Sequence, residues 1–390
     1  MTLCFWVPAA QALPRVPSAD GEVLETLPLR AGDASARELA GLRDAAARDP
    51  SDAVSATKLA ERYFELAMAR GDPRYVGYAE AVVNRFAAPL PASLRVARGQ
   101  LRQYRHQFDA ALADFAAALA LDPELASAHA WRGAIFLVQA RYDAARAECA
   151  ALQQLGRRAL FGACLGLAQA YTGELEAAQA SLRQALELSA DPDSRLWLST
   201  RLGEVAAWRG QDAQAERHYR DALSLGRDDG YLLAAWSDFL LDAGRADEVV
   251  RQLASWESSD PLLLRLTEAE VALKLPGAAG HVQVLDDRFA AAKLRGDTTH
   301  RAEEARYQLA LRGDARTAVR LASENYAVQR EPRDARILLE AAIAARDPAA
   351  AEPARAWLRS SGFEDARLRR LAQASVQTSG SEPAPSGAPR

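Results

Sequence analysis

Cysteine is scarce in this chain: three of 390 residues, at Cys4, Cys149 and Cys164, with no paired spacing that would make a zinc site. Histidine is almost as scarce. His106, His129, His218, His281 and His300 are the whole set, and none stands within metal-ligand spacing of another or of a cysteine. No GxSxG elbow, Walker loop or GxGxxG turn is present. The acidic pairs Asp228-Asp229 and Asp286-Asp287 read as turn and capping residues rather than acid/base pairs. No catalytic residue, metal or cofactor is therefore expected. Beyond the N-terminus no apolar run reaches the roughly 18 residues that a membrane helix needs. Lysine is nearly missing too, with Lys58, Lys274 and Lys293 the only ones among 48 basic residues. That arginine bias records a GC-rich genome. The arginines alternate with acids, as in Arg141-Tyr142-Asp143 and Arg146-Ala147-Glu148, and the net charge is −4. A solvated, salt-laced outer face follows, and the net basic stripe that nucleic acid would require is lacking.

What is present is a repeat. Residues 92–125 hold Gly99 within one helical run, Ala111, Phe115 and Ala118 at helical spacing along a second, and Asp122-Pro123 at the end. The small residue recurs at Gly99, Gly133, Gly166, Gly203 and Ser237, in steps of 34, 33, 37 and 34 residues. A second marker, a glycine between the two helices of a unit, recurs at Gly173, Gly210, Gly244 and Gly313. Two markers keep one period. The pattern resembles the tetratricopeptide (TPR) repeat, whose period is about 34 residues. That resemblance implies an all-α fold, a right-handed superhelical solenoid of about eight or nine antiparallel helix pairs. The steric need is plain: where two helices cross, only a small side chain keeps their axes ~8–10 Å apart. The second helix of each unit carries a buried stripe, and it takes a neighbouring pair to cover it.

The organisation reads as follows. Residues 1–12, MTLCFWVPAAQA, look like the second half of a signal peptide ending in an A-x-A cleavage site, although without a basic start. The implied address is the periplasm of a bacterium, the alternative being a cytoplasmic protein that keeps this segment. Leu3 before Cys4 argues against a lipidated cysteine. Residues 13–33 form a polar leader. The solenoid spans 34–374, with regular repeats at 92–263, degenerate ones at 53–91 and 264–363, and a capping helix at 365–374; residues 375–390 are read as a disordered tail. Cys149 and Cys164 fall on helices that pack together. They would suit a disulfide in an exported protein, but the favoured reading is two small buried core residues.

Implied by the same resemblance, the concave face comes from the first helix of each pair. One stripe along those helices collects Tyr104, Leu137, Leu167, Tyr171, Trp197, Glu204, Trp208, Tyr231 and Asp238, an apolar and aromatic surface with a little negative charge. The Lys, Asn and Arg that TPR adaptors use to grip the C-terminal carboxylate of heat-shock chaperones are absent from it. A protein or peptide partner laid along the groove is expected, with the aromatics as anchors; the same aromatics also suit gaps between helices, and both readings stand. The expected function is a non-enzymatic scaffold. The rival from another class is an enzyme whose site lies in the irregular stretch 261–313.

Overall fold

The computed structural model describes residue 19 and residues 34–377. The expected signal segment, the leader apart from residue 19, and the tail beyond residue 377 lie outside the described residues. Twenty helices and no strand make up what is described. After α1 (Ala34–Arg48) come nine pairs: α2 (Ala53–Arg70) with α3 (Arg74–Val83), α4 (Ala92–Tyr104) with α5 (Phe108–Leu121), and α6 (Ala126–Val138) with α7 (Tyr142–Gln154). Next are α8 (Arg158–Tyr171) with α9 (Leu175–Leu188), α10 (Pro192–Trp208) with α11 (Asp212–Ser224), and α12 (Gly230–Asp242) with α13 (Ala246–Leu253). The last three are α14 (Asp260–Ala272) with α15 (Ala278–Leu294), α16 (Arg301–Ala310) with α17 (Ala315–Tyr326), and α18 (Pro332–Ala344) with α19 (Glu352–Ser361). A single helix, α20 (Ala366–Gln377), ends the series. The irregular stretch 261–313 is thus ordinary helix pairing, with Phe289 and Tyr307 packed in its core. Helix α20 runs three residues past Ala374, so Ser375 to Gln377 are helical rather than part of a disordered tail.

Local chemistry sets the ends. The carboxylates of Asp52, Asp191, Asp229 and Asp314 accept backbone N–H groups at the starts of α2, α10, α12 and α17, satisfying donors with no partner inside the helix. Pro192, Pro261 and Pro332 stand in the first turns of α10, α14 and α18, where the missing N–H costs nothing. Between the two helices of each pair one residue takes the left-handed backbone: Gly71, His106, Ala140, Gly173, Gly210, Gly244, Lys274, Gly313 and Arg346. The turn is thus required at every pair, and glycine supplies it in five of the nine.

The small positions lie at the crossings. A methyl added to Gly99 would stand 2.6 Å from the Phe115 ring, one on Gly166 2.7 Å from Leu182, and one on Gly203 2.9 Å from the Tyr219 ring. Gly133 is looser, with Cys164 Sγ at 3.4 Å from the same point. Opposite these crossings the stripes Ala111/Phe115/Ala118 and Ala178/Leu182/Ala185 are wholly buried. Cys149 of α7 and Cys164 of α8 are joined in a disulfide, which corrects the reading of two separate core thiols. Adjacent pairs present them to each other, and the bare backbone of Gly133 leaves the sulfur room.

The stack closes on itself. Each inter-helix turn of the first pairs touches the loop that precedes the pair about six further on. Gly71 lies against Ser259 and Gly230, with Arg70 pairing Asp228 at 3.2 Å. Val138 O accepts from Arg330 N at 2.7 Å, and Trp357 Nε1 donates to Tyr142 Oη at 2.6 Å. A methyl on Gly173 would reach Gly362 O at 2.5 Å, and Leu175 N donates to the Glu364 carboxylate. Successive superhelical turns are therefore in contact, one edge against the other.

Candidate functional site

The expected stripe runs along the first helices of the pairs, and Tyr104, Tyr171 and Trp208 stand at the C-terminal ends of α4, α8 and α10. Those ends are also where the next superhelical turn arrives. Leu137 and Leu167 are buried in the core. Tyr171 is 3% exposed; its hydroxyl donates to Glu331 Oε1 at 3.2 Å, and its ring meets Phe363 edge-on. Trp208 packs on the same Phe363, ring centres 5.2 Å apart. Tyr104 is partly buried, its phenol pushed up to about 12 mainly by that burial. Tyr171 and Trp208 thus meet a distant part of the chain, because the segment from Glu331 to Phe363 comes back over the middle pairs.

Trp197, Glu204, Tyr231 and Asp238 remain on the inner wall, within a charged network. Arg201 of α10 lies over the faces of Trp197 and Tyr231, at 5.3 and 4.2 Å from the ring centres. Its guanidinium donates to Glu204 at 2.9 Å and to the Tyr231 hydroxyl, which in turn donates to Glu204 at 2.6 Å. Asp238 receives both Arg265, bidentate at 2.7 and 2.8 Å, and Arg306 at 2.6 Å; Arg306 bridges on to Glu268 at 2.6 Å. Burial pushes the Asp238 carboxyl up, but the two arginines outweigh it and hold it well below the usual range. Asp242 is gripped by Arg336 at 2.8 Å and by Arg367. At the start of α18, Glu331 takes Arg333 at 2.9 Å and forms a capping box with Asp334. Burial is also the main force on Glu331 and raises it; Arg333 and Arg201 reverse the sign and keep it ionised. At Asp334 burial outweighs the opposing pull of the Arg333 charge. Burial pushes it to about 7, beside Glu331 and with Asn325 Nδ2 donating at 2.9 Å.

Between α10, α12, α18 and α20 these side chains leave a cavity of about 420 Å³, walled by Trp208, Tyr231, Asp238, Arg265, Arg333 and Arg336, with Arg370 at its mouth. Its lining is amphoteric and aromatic, not the mainly apolar groove expected. The difference has a simple origin. The sequence stripe went no further than Asp238 of α12 and followed one line of positions, whereas Arg201 lies beside that line. Arg265, Arg306, Glu331, Arg333 and Arg336 come from units whose small-residue marker is weak, as far as the 160 residues between Glu331 and Tyr171, and no local pattern pointed to them. Among the described residues no group of three His, Cys, Asp or Glu side chains is placed to hold a metal ion. Among them, too, no helix is long and apolar enough to cross a membrane.

No family model matches the sequence, and no curated protein matches it. Among solved structures it is similar to a chain of the anaphase-promoting complex hetero-tetramer Cut9–Hcn1, at 18% identity and TM-score 0.41, covering 79% of this chain and 52% of that one. It is also similar to the TPR domain of P58(IPK), at 15% identity and TM-score 0.23, covering 88% and 93%. The chain thus spans about half the length of the first of these.

Proposed function

We propose that this TPR-like solenoid is a non-enzymatic scaffold that holds a segment of another protein against its inner wall, in the envelope of a bacterium. The observation that carries the binding reading is the cavity at Tyr231, Asp238, Arg333 and Arg336. Aromatic faces and charges of both signs converge there, while the small-residue positions are spent on packing. An amphipathic segment with one or two charged side chains is what such a lining accommodates, since rings supply area at low entropy cost and a buried charge needs a partner. Support for the envelope comes from the Cys149–Cys164 disulfide, a bond that persists in oxidising compartments, together with the A-x-A pattern at Ala10-Gln11-Ala12.

The test is capture from envelope extract by the full chain and by the double variant Arg333→Glu, Arg370→Glu, with bound proteins identified by mass. A partner taken by the first and lost by the second, at an unchanged melting midpoint, supports the reading. The same set taken by both sinks it. For the address, the intact mass decides: a mature chain beginning at Leu13 supports export, and one retaining Met1 removes it.

A further inference from the structure

The cavity between α10, α12, α18 and α20 is selective in what its side chains still have to offer. Its acids are taken. Glu204 accepts from Arg201 and from the Tyr231 hydroxyl. Asp238 accepts twice from Arg265 and once from Arg306, while Asp242 accepts twice from Arg336 and is paired with Arg367. Glu331 accepts from Arg333 and from the Tyr171 hydroxyl, and Asp365 from the backbone N–H groups of Arg367 and Leu368 at the start of α20. Asp212 alone among the lining acids has no such bond among the described residues. It is exposed in the first turn of α11, where water and the helix N-terminus both suit a negative charge.

The arginines are not all taken. Arg265 spends its donors on Asp238 and the Pro261 carbonyl, and Arg336 on Asp242 and Glu340. Arg333 gives one Nη to Glu331; its side chain is 55% exposed and lies over the Tyr231 ring, 5.7 Å from the centre. Arg370, at the mouth, makes no hydrogen bond or ion pair among the described residues. A guanidinium carries five N–H donors and no acceptor, so the wall has donors to spare and hardly an acceptor. A cation entering here would meet carboxylates already matched by arginine and would stand against Arg333 and Arg370. A carboxylate would meet two guanidiniums with N–H groups to give, and such charge-assisted bonds are the strong ones.

The rest of the lining is apolar: Trp208, Phe239 and Leu368 beside the Tyr231 ring. At about 420 Å³ the cavity is near the small end of the ~300–1,000 Å³ usual for ligand sites. It takes a few side chains, not a folded element.

We propose that the segment this wall holds is acidic: an apolar or aromatic side chain lodged against Trp208, Phe239 and Tyr231, with neighbouring Asp or Glu carboxylates on Arg333 and Arg370. This rests on the scaffold reading above and adds the sign and the source of the charge, a side-chain carboxylate of a protein partner.

The experiment is calorimetric titration of the full chain with three acetylated, amidated seven-residue peptides. Each has a central phenylalanine among glycine and serine, and its two flanking positions are both glutamate, both glutamine or both lysine. The glutamate peptide is expected to bind at least about tenfold tighter than the glutamine one, with the lysine peptide weakest and added salt narrowing the gap. Arg333→Gln with Arg370→Gln should bring the glutamate peptide down to the level of the glutamine peptide and leave the latter unchanged; a variant that has merely lost its fold would lower both. Arg370→Gln alone breaks no bond seen among the described residues and should still weaken the glutamate peptide about threefold. No binding of the glutamate peptide, equal binding of the three, preference for lysine, or discrimination that survives the double variant overturns the proposal. So does binding that appears only when the peptide ends in a free C-terminal carboxylate. The scaffold reading fails separately. A partner taken from envelope extract by the neutral Arg333→Gln, Arg370→Gln variant but lost by the charge-reversed one leaves that reading standing and removes the acidic segment.

Discussion

Replacing glycine by alanine should have opposite effects at two helical positions of this chain, and the difference measures what fixes the repeat. At Gly77, in α3, a new methyl meets nothing within 4 Å. The substitution there gains helix propensity alone, and stability should rise by about 0.5–1 kcal/mol. At Gly99, in α4, the methyl would stand 2.6 and 2.7 Å from two ring carbons of Phe115, which is 0% exposed and rigid. Ordinary contact needs ~3.5–4 Å, so the ring or the whole of α5 must retreat by roughly 1 Å. Overpacking of this kind costs ~1–3 kcal/mol. The propensity gain offsets only part of it, and Gly99→Ala should lower stability while Gly77→Ala raises it. Urea unfolding of both, followed by far-ultraviolet signal, gives the two midpoints. Phe115→Leu in the Gly99→Ala background should recover part of the loss, read as a coupling in a double-mutant cycle. If both single variants move the midpoint upward, or if the cycle shows no coupling, the claim that tiny side chains set the crossing distance fails.

Other consequences can be checked with the same unfolding assay. Ser237 is wholly buried in α12 and its hydroxyl has no hydrogen-bond partner among the described residues; Ser237→Ala removes that unmet donor and should stabilise by about 1 kcal/mol, so a destabilised variant refutes it. Ala140 holds a left-handed backbone at φ 57° in a turn where five of the nine pairs use glycine; Ala140→Gly should leave stability unchanged or raise it by up to ~1 kcal/mol, and a clear loss refutes the turn assignment. Reducing Cys149–Cys164, which spans 15 residues, should lower stability by about 3 kcal/mol on a loop-entropy basis, seen as an earlier melting midpoint with reductant and no such shift in Cys149→Ala, Cys164→Ala. Asp334 ionises near 3.8 when unfolded but near 7 when folded. The folded chain therefore holds the extra proton between those values, and the stability this group contributes in acid is lost as pH rises from about 4 to 7. Asp334→Asn should flatten that part of the profile, and an unchanged slope refutes the assignment.

The residues alone determined the kind of fold because its cause is local and recurs. Small side chains at Gly99, Gly133, Gly166 and Gly203, seven residues ahead of a left-handed turn, dictate a close crossing wherever they occur. Even the weak pairs after Pro261 obey the same geometry, although Lys274 and Arg346 stand where glycine was the marker. The candidate site was legible only in part. Glu204, Tyr231 and Asp238 were found because they lie on one face of their own helices. Arg201, Arg265, Arg306 and Arg333, which decide what that wall can hold, were not. The pitch of the coil was beyond the sequence for the same reason. It is a sum of small rotations over many pairs, no one of which carries a signature. That sum alone brings Phe363 onto Trp208 and Glu331 onto Tyr171, covering part of the expected groove and leaving an amphoteric cavity in its place.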